Sequence, residues 1–202
     1  MNRRLVLSLT LGLACTGAAA QTPAAGAARR LRGTVVSFDG STLVLKERSG
    51  ETYNLAAPPN LAINEVLPIE LAAIQPNSFV GVASLPGEGG KLRALEVLVF
   101  PEAARGSGEG HYPWDLQPGS TMTNATVADV VSVGQGRTLK LRYKDGEQTV
   151  VVPPGIPVVT FKPGDRNLVV AGAKVIVTAQ PRDDKLTAMR VLVGRDGFQP
   201  PM

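Results

Sequence analysis

Cysteine is nearly missing from this chain of 202 residues, and the single one, Cys15, stands near the start. Histidine and tryptophan also occur once each, as His111 and Trp114, and aromatic residues make up only 4% of the sequence. These shortages exclude whole classes of chemistry. A histidine-based metal site, a metalloprotease helix or a catalytic triad needs its imidazole in company, and no second histidine or later cysteine is there to supply it. No hydrophobic run approaches the ~20 residues that cross a bilayer as a helix. The longest, Leu5 to Ala14, is half that length, and later apolar runs are broken by Pro, Gly or charge.

That first run has a different character from the rest. It follows Arg3 and Arg4 and precedes Ala18-Ala19-Ala20, the order of a signal peptide with its small-residue cleavage site. Residues 1–20 are therefore expected to be removed, leaving a periplasmic or secreted chain that starts at Gln21, with 21–30 as a flexible N-terminus. The alternative is a lipoprotein anchored at Cys15, because Leu13-Ala14-Cys15 resembles a lipid-attachment site. In the first case the mature protein has no thiol, and disulfides are excluded. Setting aside Arg3 and Arg4 leaves nineteen basic and seventeen acidic residues, a net charge of +2. Charge so small and so dispersed argues against nucleic acid as a partner.

What the chain does have is self-similarity. A shift of about 95 residues brings Thr42-Leu43-Val44-Leu45-Lys46 onto Thr138-Leu139-Lys140-Leu141-Arg142, Pro58-Pro59 onto Pro153-Pro154, and Lys91-Leu92-Arg93-Ala94 onto Lys185-Leu186-Thr187-Ala188. Apolar residues recur at every second position, the strand period. Turn residues punctuate them at Asp39-Gly40, Ser49-Gly50, Asp145-Gly146 and Pro163-Gly164-Asp165. The expected fold is all-β, an internal duplication of two tandem five-stranded OB-like barrels at 31–104 and 124–198, joined by an inter-repeat segment at 105–123. Strands are expected near 32–38, 42–47, 51–56, 78–84 and 92–100, and again near 124–132, 137–144, 147–152, 173–179 and 186–193. Leu67, Leu71 and Ile74, three to four apart, suggest one short helix between the third and fourth strands. An open five-stranded sandwich is the alternative architecture.

Gly33-Thr34-Val35, Gly40-Ser41-Thr42-Leu43-Val44-Leu45, Ile74 to Val82 and Lys91-Leu92-Arg93-Ala94 together resemble a bacterial family of small exported OB-like β domains of unknown function. Some of its members carry the label metal-transporter permease. The resemblance covers both repeats and implies fold and export. The permease label conflicts with this chain, in which no segment after residue 20 is long and apolar enough to span a membrane as a helix.

Few residues point to chemistry. Glu65 and Glu70, or Asp183 and Asp184, are close in sequence but read as solvated turns rather than acid–base pairs. Gly106-Ser107-Gly108-Glu109-Gly110 lacks the lysine and flanking strand of a phosphate loop. Lys140, Arg142 and Lys144 alternate along one strand as a basic stripe, with Tyr143 turned the other way, and without an aromatic platform they read as a solvated face. The inter-repeat segment is less ordinary, since it gathers His111, Tyr112, Trp114 and Asp115. Either Trp114 buries itself between the barrels while Asp115 caps a turn, or these four line a binding cleft at the junction, where ligand sites are favoured. No cofactor or metal is implied. The expectation is a non-enzymatic periplasmic binding or scaffold protein whose partner is an unknown protein or small molecule. The alternative is a ligand-binding accessory to a transport or envelope system, including a metal-related one, with the inter-repeat segment as its site. Oligomeric state is left open.

Overall fold

The computed structural model describes residues 27–134 and 136–201. The expected targeting segment, Cys15 included, lies outside them. The chain is all-β. Its strands are β1 Arg29–Phe38, β2 Thr42–Glu47, β3 Thr52–Ala56, β4 Ala62–Pro68, β5 Phe79–Pro86, β6 Leu92–Val99, β7 Gly110–Pro113, β8 Thr121–Val133, β9 Gly136–Tyr143, β10 Gly146–Val152, β11 Val158–Pro163, β12 Lys174–Arg182 and β13 Lys185–Gly194.

The alternation read in the sequence accounts for most of these. In β2, Leu43 and Leu45 are fully buried while Lys46 is exposed, and in β9 Leu139 and Leu141 are buried between exposed Lys140 and Arg142. Each such leucine contributes about 1.5–3 kcal/mol by leaving water. The β1–β2 turn is set by chemistry, since Asp39 Oδ1 accepts the backbone N–H of both Ser41 and Thr42 at 2.7 Å while Gly40 takes φ 91°. β1 begins at Arg29, so the last residues of the expected flexible N-terminus belong to a strand.

β1 and β8 each serve two neighbours. β1 pairs with β12 through its first half and with β2 through its second, with a bulge between Val35 and Ser37. β8 does the same with β5 and β9, with a bulge between Val127 and Asp129. A bulge bends the strand so that one strand can close a barrel. Gly33 sits at the crossover, where a Cβ would collide with the Lys46 carbonyl oxygen.

Closure follows. β5, β6, β10, β9 and β8 form a closed five-stranded barrel, completed by parallel pairing of Val150 with Leu92 and Val151 with Arg93. β1, β2, β3, β13 and β12 form a second ring, completed by a single parallel bridge between Ala56 and Thr187. Each encloses its own apolar core, one around Leu139, Leu141, Val80 and Val97 and the other around Leu43, Leu45, Leu55 and Val177.

These pairings correct the expected partition. Segments 31–104 and 124–198 do not close separately. The first barrel lies within residues 79–152, whereas the second ring joins 29–56 to 174–194. The chain therefore leaves one ring, builds the other whole, and returns to finish the first.

Two strands missed by the alternation carry the crossing. β4 runs parallel to β13 and antiparallel to β11, with Val66 opposite Phe161, and β11 runs parallel to β6. In β4, Ile63, Glu65 and Val66 are all buried, so it lacks the polar face that marks a half-buried strand. The short helix expected from Leu67, Leu71 and Ile74 is replaced by this strand and one 3-10 turn, Leu71–Ala73, after which Ile74 enters the barrel core. Between the rings lies a third apolar cluster of Val66, Leu98, Val159, Phe161 and Ile176. Phe79, Phe100 and Phe161 meet there edge to face, with centroids 5.2 and 5.9 Å apart.

Candidate functional site

Residues 105–123 form neither a free tether nor a cap. β7 pairs antiparallel with the start of β8, His111 opposite Thr123 and Tyr112 opposite Met122. The loop from Trp114 to Ser120 is closed by the Trp114 N–H donating to the Ser120 carbonyl at 2.8 Å, and by the buried Ser120 hydroxyl, which lies 3.0 Å from the Trp114 carbonyl and 2.7 Å from that of Gln117. The result is a hairpin on the barrel that reaches across to β1 of the ring.

Asp115 makes the crossing contact. Its Oδ1 accepts from Arg30 Nε at 3.1 Å and from Arg32 Nη2 at 2.8 Å. Burial pushes the Asp115 carboxyl up, but the hydrogen bonds from Arg32 and Arg30 outweigh that and hold it below its ordinary value. The Arg30 guanidinium lies 3.8 Å from the centroid of Trp114, a cation–π contact. Trp114 is thus half-buried at the junction, held by ring and hairpin together.

Beneath it lies a cleft of about 260 Å³ between the two rings. The ring supplies Arg30, Ile176, Thr178, Arg190 and Leu192, and the barrel side supplies Gly81, Leu98, Phe100, Met122 and Asn124. Ser107, Gly108 and Trp114 form its hairpin wall. Gly81 keeps the floor open, because a Cβ there would stand 2.6 Å from Asn124 Oδ1 and 3.1 Å from Phe100 Cε2.

Of the four residues picked from the sequence, Trp114 lines this cleft and the other three do not. Tyr112 stands behind it, its hydroxyl accepting from Asn124 Nδ2 at 3.1 Å and its ring 6.1 Å from Trp114. Burial raises the Tyr112 hydroxyl pKa, and the charge of Arg30 counteracts this. His111 points to the opposite face of β7. Its Nδ1 lies 2.8 Å from Thr123 Oγ1 and its ring stacks on Tyr143 at 6.4 Å. Asp115 is spent on Arg30 and Arg32.

The residues that the sequence reading passed over are the polar groups buried at the junction. Arg190 lies against Phe161, 4.9 Å from the ring centroid, and its Nε donates to Asn64 Oδ1 at 3.0 Å. Among the described residues no carboxylate lies within ion-pair distance of it, and burial alone lowers its pKa. Asn124 Oδ1 and Trp114 Nε1 are buried without hydrogen-bond partners. So are both carboxyl oxygens of Glu96, on β6, whose pKa burial pushes up to about 8 against the opposing charges of Arg32 and Arg48. A signal existed in the phase of the strands. Glu96 is two residues from Leu98 and Arg190 two from Leu192, so each shares a face with an apolar neighbour.

The remaining carboxylate pairs behave as structure. Glu65 was expected on a solvated turn but is instead buried within β4, its charge met by Arg195 Nε at 2.7 Å and Lys162 Nζ at 3.4 Å. Asp183 and Asp184 occupy a turn at positive φ. Lys140, Arg142 and Lys144 are exposed. Among the described residues there is no cluster of His, Cys, Asp and Glu able to hold a metal ion, and no helix is long and apolar enough to cross a membrane. Set against known proteins, the chain matches no family model, no curated protein and no solved structure.

Proposed function

We propose that this chain is an exported, non-enzymatic binding module and that the cleft between its two rings receives a small ligand. The carrying observation is the cleft itself. It is walled by both rings, kept open by Gly81 and capped by the only tryptophan. Ligand sites favour such junctions, where apolar walls meet a few placed polar groups. The two rings are read as OB-like units descended from one duplicated unit, in which each repeat lends its last two strands to the other. What supports this is the parallel between their pairings: β1 joins β2 and β12 as β8 joins β9 and β5, and β3 meets β13 as β10 meets β6. The signal-like residues 1–20 support export.

The test is occupancy. Protein prepared from the cell envelope should carry a small molecule visible by native mass spectrometry. Thr178→Trp, which fills the cleft from the ring side, should lose that mass while keeping its melting temperature within a few degrees. No bound mass in the parent protein, or equal occupancy in the filled variant, would exclude the cleft as the site. A scaffold role would then be the better reading.

A further inference from the structure

We propose that the ligand of this cleft is a small amphipathic organic anion, a carboxylate whose head meets Arg190 and whose short apolar body lies over Leu98, Ile176 and Leu192. The inference rests on the reading of the cleft as a binding site and adds the chemistry of its occupant.

The argument starts from charge. Three guanidinium groups gather at the junction, and one carboxylate, Asp115, compensates Arg30 and Arg32. Arg190 has only a neutral amide, Asn64, and the face of Phe161. A half-buried cation with no counter-charge is costly to keep ionised, since removal from water is not repaid by a partner. Arginine does not escape by losing its proton in a protein. An anion in the cleft supplies what the fold leaves out, and the planar guanidinium fork suits a carboxylate.

The second observation is independent of Arg190. Trp114 and Asn124 both line the same cleft, and behind its surface Trp114 Nε1 is a covered donor without an acceptor and Asn124 Oδ1 a covered acceptor without a donor. It is the Arg190 charge, hydrogen-bonded only to a neutral amide, that asks for a negative partner, which a carboxylate is and an ammonium is not. The rest of the lining asks for something apolar, because Leu98, Phe100, Met122, Ile176 and Leu192 surround the space. At about 260 Å³ the cleft falls just below the range of drug-sized pockets. A head with a short chain or single ring fits it, and a long acyl chain does not.

The experiment compares three probes of one shape and different charge, hexanoate, hexanol and hexylamine, by calorimetry and by the emission of Trp114. Hexanoate should bind at least tenfold more tightly than hexanol, and hexylamine more weakly than either. Arg190→Gln should erase the preference for hexanoate while leaving hexanol unchanged, and Arg190→Lys should restore part of it, which separates lost charge from lost fold. Equal binding of hexanoate and hexanol, or a preference that survives in Arg190→Gln, would overturn the anion and leave the cleft standing as an apolar site. Failure of all three probes to bind would overturn both.

Discussion

The two five-stranded rings use the same devices with different chain economy. One lies within a contiguous stretch, 79–152, and the other must join residues 29–56 to residues 174–194. Their last strands show a second contrast. In β6 the bulged residue Leu95 immediately precedes Glu96, which pairs with Ala83, and in β13 the bulged residue Met189 immediately precedes Arg190, which pairs with Thr178. The same backbone irregularity thus sets a carboxyl group in one ring and a guanidinium in the other. Gly81 pairs with Leu98 as Ile176 pairs with Leu192, so the site where one ring places an isoleucine is empty of side chain in the other. The cleft is a product of these inequalities.

The sharpest way to break the comparison is to cut the chain. A fragment covering residues 69–159 contains all five strands of the contiguous barrel and should show β-type circular dichroism and cooperative urea unfolding. Fragments 28–104 and 120–198 each lack the partners of their own strands and should show no cooperative transition as monomers. Cooperative unfolding of monomeric 28–104 would refute the exchange of strands.

The next effect is the buried acid. Glu96 has an ordinary pKa of 4.5 when solvated and about 8 in the fold. Its protonated form is the one the fold favours, so its contribution is complete below pH ~4.5 and is lost as pH rises through 8, at up to about 1.4 kcal/mol per pH unit. Glu96→Gln should therefore gain stability over the parent chain as pH rises from 5 to 8, on the order of a few kcal/mol at the upper end. Parallel denaturation curves for the two proteins across this range would show instead that the carboxyl is solvated.

The smallest effect belongs to Asp115, whose ion pairs are partly exposed and therefore weakened by solvent screening. Asp115→Asn should cost about 1 kcal/mol or less at pH 7. Its folded pKa is lowered, so this contribution is present above the unfolded value and vanishes as pH falls through the folded one. The two proteins should converge in acid. A difference that persists at pH 2 would point to packing rather than charge.

How much of this was legible in the sequence depends on how each strand is buried. β2, β9 and β10 have one wet face, and their alternation announces them. β4 and β11 are covered more fully, and their mixed patterns look like a helix or a turn. The exchange of strands was hidden for a different reason. β5 and β12 have equivalent patterns, so alternation cannot say which of them β1 will choose, and the choice falls to the β4–β11 pairing that carries the chain across. At the cleft, composition drew attention to His111, Tyr112, Trp114 and Asp115, of which Trp114 alone lines it. Arg190 and Glu96 went unremarked because charge on a strand ordinarily means solvent.

The split ring also fixes an order of events. As the chain emerges residue by residue, the barrel within 79–152 has all its strands while β11, β12 and β13 are still to come. The other ring must hold its first three strands unclosed until β12 and β13 appear, more than 110 residues later. Pairings of such long sequence separation form slowly and leave strand edges exposed in the interval. Completion of the cleft, which needs both rings, is thereby tied to arrival of β12 and β13, and a chain truncated before β13 would present one finished barrel and no completed cleft.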